Sequence, residues 1–147
     1  MDYEKLLVFC GGNKDATDLI RDLWKLCCVW DNCVDRDKIN DETATNSAFL
    51  WALFGLHDNV FYKNFEHQIR PAIYSCVASW IVANKFEKSG DVQLLERSYV
   101  MRCSPYELFG VIALLSGGFQ SQINAIEHFQ SIKNNDTLEA YLHEHRS

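Results

Sequence analysis

The chain has 147 residues and a mass of 17.0 kDa, with 48% hydrophobic and 23% charged residues, which excludes intrinsic disorder for most of its length. Seven Gly and two Pro exclude a collagen-like or loop-dominated architecture. The formal charge of −6, from 14 basic and 20 acidic residues, excludes a protein that coats duplex nucleic acid, because affinity for the phosphate backbone comes from Lys and Arg.

Read from the N-terminus, Leu6-Leu7-Val8-Phe9 followed by Gly11-Gly12 is either a short helix with a glycine stop or a small extended arm. A long helix is predicted from about Asp15 to about Asp35. Leu19, Leu23, Leu26, Cys27, Trp30 and Val34 recur at three- and four-residue spacing, which marks one buried stripe. A second helix is predicted over Glu42 to Phe54, capped by Asp41 or Thr43 and stopped by Gly55, with Phe49, Leu50, Leu53 and Phe54 on one side. A third segment runs from Asp58 or Asn59 to Lys88, and Pro71 predicts a kink or break near Gln68 to Arg70. Beyond it Ile73, Cys76, Val77, Trp80 and Ala83 continue the apolar stripe.

A fourth helix covers Asp91 to Met101, with Leu94, Leu95 and Tyr99 inward. Ser104-Pro105-Tyr106-Glu107 reads as a capping box with proline at the first helical position, opening a fifth helix that ends at Gly117-Gly118. A sixth spans Gln120 to Lys133 on Ile123, Ile126 and Phe129. Asp136-Thr137-Leu138-Glu139 opens a short terminal helix in the same style. The expectation is one all-α domain over 1–147, a bundle of about six or seven helices. Residues 1–13 form a short N-terminal arm, and 134–147 a short C-terminal helix and tail.

The six cysteines are spaced without a paired metal motif, and an acidic start with only Leu6 to Cys10 as an apolar run is too short for a secretory signal core. Reduced thiols and a cytoplasmic address, bacterial or in an infected host cell, are therefore expected. No apolar run approaches the ~18 residues of a membrane span.

The candidate site lies at the end of the first long helix, in Trp30-Asp31-Asn32-Cys33-Val34-Asp35. At roughly 100° per residue, Trp24, Cys28, Asp31 and Asp35 share a stripe beside the buried one. Two carboxylates four residues apart can share Mg²⁺, a hard cation that takes carboxylates together with substrate phosphates. They also oppose the helix dipole, by ~0.3–1 kcal/mol each, which calls for a compensating cation or a basic partner. Arg102 sits on an inward stripe with Leu95 and Tyr99. It is either that partner, making the cluster a structural ion network, or a phosphate holder through its fork geometry, with Arg70 as a second phosphate candidate. Asn46 and Asn84 are polar residues on otherwise apolar stripes and complete the pocket candidates with Trp24 and Cys28. No residue is singled out as catalytic.

The Asp31 to Asp35 segment resembles the first aspartate-rich motif of class I isoprenoid synthases, with Asn32 where that motif carries an adjacent aspartate. The resemblance implies a diphosphate bound through Mg²⁺ on this helix, and the chain is about half the length of such enzymes. The stretch Leu23 to Lys38, Asn46-Ser47-Ala48-Phe49 and Gly117-Gly118 resembles small all-helical hypothetical proteins of tailed bacteriophages over Leu19 to Gly118, and this resemblance implies no activity. The all-α nucleotide pyrophosphohydrolases carry paired acidic helices without a clean counterpart here.

Two functions follow as expectations. The first is a non-catalytic helical binding or accessory protein, phage-encoded and acting on a host or phage protein partner, with no cofactor. Its 13% aromatic content supplies rings for a partner surface. The alternative is a Mg²⁺-dependent protein that binds or acts on a phosphorylated small molecule, a diphosphate or nucleotide, through Asp31 and Asp35. Neither involves duplex nucleic acid or a membrane, and a homo-oligomer is compatible with both.

Overall fold

Helix signals in the sequence translate directly into the caps of a computed structural model that describes residues 1–35, 39–132 and 137–146. Helix α1 (Tyr3–Phe9) starts on Asp2, whose side chain accepts from the Glu4 and Lys5 amides, and buries Leu6. Of the two readings for this segment, the helix is the one formed. Gly11 and Gly12 follow it at φ of 60° and 79°, conformations that only glycine enters at little cost. Helix α2 (Lys14–Asp35) opens on Asn13, whose Oδ1 accepts from the Ala16 amide at 3.0 Å.

The expected buried stripe of α2 is only half buried. Ala16, Thr17, Leu19, Ile20 and Leu23 enter the core, whereas Val34 is exposed and Leu26, Cys27 and Trp30 are half-buried. The apolar spacing continues, but the second half of α2 borders an open groove rather than the buried core.

Helix α3 (Glu42–Leu50) is capped by Asp41, which accepts from the Ala44 amide. It does not stop at Gly55. A π-helical turn, Trp51–Gly55, carries it into a last turn, α4 (Leu56–Asp58). Gly55 keeps helical angles (φ −61°, ψ −38°), and a side chain there would collide with the Trp51 indole. A glycine ends a helix only where the chain turns left-handed, and here its bareness instead makes room for a ring. The face expected to turn inward is exposed: Phe49, Leu50, Leu53 and Phe54 stand at 49–66% exposure.

Helix α5 (Val60–Glu87) is capped by Asn59 and contains Pro71. Its break falls at Phe65 (φ −122°, ψ 21°), earlier than the expected Gln68 to Arg70. Proline removes one backbone donor and crowds the carbonyl four residues back, that of His67, yet the helix keeps helical angles there and bends at Phe65. Helix α6 (Val92–Met101) is capped by Asp91 and buries Leu95 and Ser98, with Leu94 and Tyr99 half-buried.

Helix α7 (Ser104–Gly117) follows after a tight turn, and the expected capping box is absent. Ser104 is already helical, Cys103 holds the cap position without a side-chain bond to the first turn, and Ser104 Oγ donates to the Cys76 carbonyl at 3.2 Å. Helix α8 (Phe119–Ser131) buries Ala125 and Phe129, whereas Ile123, expected inward, is exposed. The predicted extension of this helix to Lys133, like Asp136, lies outside the described residues. Helix α9 (Leu138–His145) is capped by Thr137, which accepts from the Ala140 amide.

The fold is thus all-α, with no strand among the described residues. Helix α7 is its centre: Tyr106, Leu108, Phe109, Gly110, Ile112 and Ala113 are all buried, and α2, α5 and α8 pack around it. Gly110 lets α8 approach closely, since a Cβ there would stand 2.6 Å from Ile126 Cγ1. No described helix is long and apolar enough to cross a membrane. All six cysteines stand as thiols.

Candidate functional site

Where the second half of α2 stands away from the core, a cavity of about 650 Å³ opens between α2, α5, the α6–α7 corner and α9. Each wall is a helical stripe. Trp24, Cys28, Asp31 and Asp35 come from α2. Cys76, Trp80, Asn84 and Glu87 recur at three- or four-residue spacing along much of α5, and Tyr141, Glu144 and His145 come from α9.

The polar end is an ion network. Arg102, at the corner between α6 and α7, bonds Glu87 through Nη1, Asp35 at 3.1 Å and Asp31 at 3.4 Å through Nη2. Glu87, its side chain only 10% exposed, also accepts from the Tyr141 hydroxyl at 2.6 Å and stands 3.5 Å from His145 Nε2. The Tyr141 oxygen lies 2.9 Å from Ser98 Oγ, which donates to the Ala83 carbonyl. Burial works against the charge of Arg102, but Glu87, Asp31 and Asp35 outweigh it and hold the guanidinium proton more tightly than usual.

Several of the groove's hydroxyl and thiol groups are pushed away from ionisation. Burial, reinforced by the bond to Glu87, raises the Tyr141 phenol to about 12. Burial, with negative neighbours, raises the Cys27 thiol to about 12 as well. Burial also raises Cys76 and Cys103, although Arg102 pulls Cys103 back. The groove is also lined by aromatic rings. Trp30 packs on Trp80 with ring centres 4.2 Å apart, and Trp24 stacks on Tyr106 at 6.1 Å. Asn84, 9% exposed, has a buried Oδ1 with no hydrogen-bond partner.

Of the residues singled out from the sequence, Asp31, Asp35, Arg102, Trp24, Cys28 and Asn84 meet at this groove. Asn46 does not; it is exposed on α3. Arg70 does not either: it pairs with Glu66 at 3.6 Å and lies over the Tyr74 ring. Sequence reasoning missed Glu87, Tyr141 and His145. Glu87 follows Asn84 by three and Trp80 by seven, a spacing that put it on the same face, whereas the α9 residues reach the site only through the tertiary fold. Among the described residues, no group of three or more His, Cys, Asp or Glu has the geometry to hold a metal ion. Compared with known proteins, the chain matches no family model, no curated protein and no solved structure.

Proposed function

We propose that this chain is a non-catalytic helical binding protein whose ligand sits in the groove between α2 and α5. The observation that carries the reading is that Arg102 and the acids around it are bonded to one another and three of the groove's four thiols are held protonated. Arg102 is held by Glu87, Asp35 and Asp31, the Tyr141 hydroxyl donates its hydrogen bond to Glu87, and Cys27, Cys76 and Cys103 are kept as thiols. What remains is a walled, aromatic space of the size that takes small molecules.

The alternative, Mg²⁺ shared by Asp31 and Asp35 with a phosphorylated ligand, requires Arg102 to leave both carboxylates for the phosphate, and Arg70 is not in the groove to assist. An accessory role toward a phage or host protein has separate support in the exposed row Phe49, Leu50, Leu53 and Phe54, an apolar surface of the kind partners cover.

Thermal-shift measurements with organic cations, anions and neutral aromatics test the binding role. The protein carries Cys33→Ser, so that Cys28, exposed and in the groove wall, is the readily modified thiol. At least one class should raise the melting temperature, and a bulky maleimide on Cys28 should abolish the rise. No shift with any class, or a shift that survives modification, overturns the reading.

A further inference from the structure

Three features of the groove ask for the same ligand. Asn84 Oδ1 is a buried acceptor without a donor, one turn from Trp80 and one turn from Glu87 on the same face of α5. Such an atom is satisfied when a ligand brings an N–H or O–H to it. Among the described residues the lining carries four carboxylates, Asp31, Asp35, Glu87 and Glu144, against two basic side chains, Arg102 and Lys88. The same lining carries the rings of Trp24, Trp30, Trp80, Tyr99, Tyr106 and Tyr141, and aromatic rings attract cations. Arg102 itself already places a guanidinium among these carboxylates.

Given a groove that binds, as proposed above, we infer that its ligand is a small organic cation bearing an N–H donor, an ammonium or guanidinium on an aromatic or aliphatic body. A phosphorylated or carboxylated ligand meets the excess negative charge. A quaternary ammonium satisfies the charge and the rings but leaves Asn84 Oδ1 unpaired. The cavity of about 650 Å³ lies in the range of whole small-molecule ligands, which favours a free amine over a single basic side chain of a peptide.

Calorimetry and tryptophan fluorescence on the full chain in 150 mM salt test this, since three of the four tryptophans line the groove. The probes are phenethylammonium and benzamidinium, compared with phenethyl-trimethylammonium, 2-phenylethanol and phenylacetate. The two N–H cations should bind at least tenfold tighter than the quaternary and neutral compounds, and phenylacetate should not bind. Asn84→Ala should weaken the N–H cations about tenfold and leave the quaternary compound unchanged. If that variant does not fold, Asn84→Leu, which fills the same space, gives the same readout. Nα-acetyl-arginine methylamide separates the two sources of the cation: binding weaker than phenethylammonium supports a free amine, and tighter binding overturns that choice in favour of a peptide side chain. If phenylacetate or 2-phenylethanol binds as tightly as the cations and Cys28 modification blocks it, the cation inference falls while the binding role stands. If no compound of any charge binds, both fall.

Discussion

Replacing Arg102 with Met removes the guanidinium while keeping most of its aliphatic stem in place. Three carboxylates then lose one shared partner. Glu87 suffers most, because its side chain is 10% exposed. Breaking a buried pair costs ~3–5 kcal/mol, and the bond still donated by Tyr141 brings this to ~2–3 kcal/mol. Asp35, 28% exposed, adds ~0.5–1 kcal/mol, and Asp31, 41% exposed, adds the few tenths of a solvated pair. The total is about 3–4 kcal/mol, a fall of about 6–16 °C in melting temperature for a chain of this size. Urea denaturation followed by circular dichroism measures it, because guanidinium chloride would screen the ion pairs under study. A double-mutant cycle with Glu87→Gln should give a coupling of about 1–3 kcal/mol. A loss below ~1 kcal/mol, or additive single effects, would show that the network is solvated and that Arg102 does not hold the groove's polar end together. The same variant tests the metal reading: Mg²⁺ should leave wild-type melting unchanged and stabilise Arg102→Met, whose carboxylates are uncovered. A Mg²⁺ gain in the wild type that disappears in Asp31→Asn and Asp35→Asn would restore Mg²⁺ as the partner of that pair.

Ser104→Ala should cost about 0.5–1.5 kcal/mol in urea unfolding, the net worth of its bond to the Cys76 carbonyl. Ser104→Asp should not restore the loss, because a carboxylate caps a helix as well as serine but cannot donate to a carbonyl, so full rescue would return Ser104 to a capping role. In the native protein at neutral pH, iodoacetamide should reach the exposed Cys28 and Cys33 first and the buried Cys10 and Cys76 last, with Cys27 slow because its thiol is raised to about 12, and all six should react after denaturation without reductant. Mass spectrometry of the labelled peptides reads the order, and early labelling of Cys10 or Cys27 would refute it. The Tyr141 phenol, raised by burial and by its bond to Glu87, favours folding below the ordinary tyrosine range and loses that contribution as pH rises from about 10 to about 12. Urea midpoints should therefore fall over that window less in Tyr141→Phe than in wild type, and equal slopes would refute the linkage.

Local signals sufficed wherever a decision involves only neighbouring residues. Periodicity determined an all-α chain and most helix positions, because backbone bonding and caps such as Asp41, Asp91 and Thr137 act within one turn. The same spacing placed Trp24, Cys28, Asp31 and Asp35 on one face, since helical geometry is fixed by sequence separation alone.

Only the tertiary structure decided which faces are covered. Leu19 and Val34 belong to one apolar repeat, yet the first is buried and the second exposed, because burial depends on whether another helix lies opposite. The same holds for Phe49 and Leu53, whose row is apolar but uncovered. Ser104 carries a capping-box sequence, but the Cys76 carbonyl on α5, 28 residues away in the chain, takes its hydroxyl. Arg102 meets Asp31 across a separation of 71 residues, and Glu87 meets Tyr141 across 54. Pairings over such distances are set by how α7 gathers α2, α5 and α8 around it, with α9 closing over α6, and no periodicity within one helix encodes which distant side chain arrives at its face.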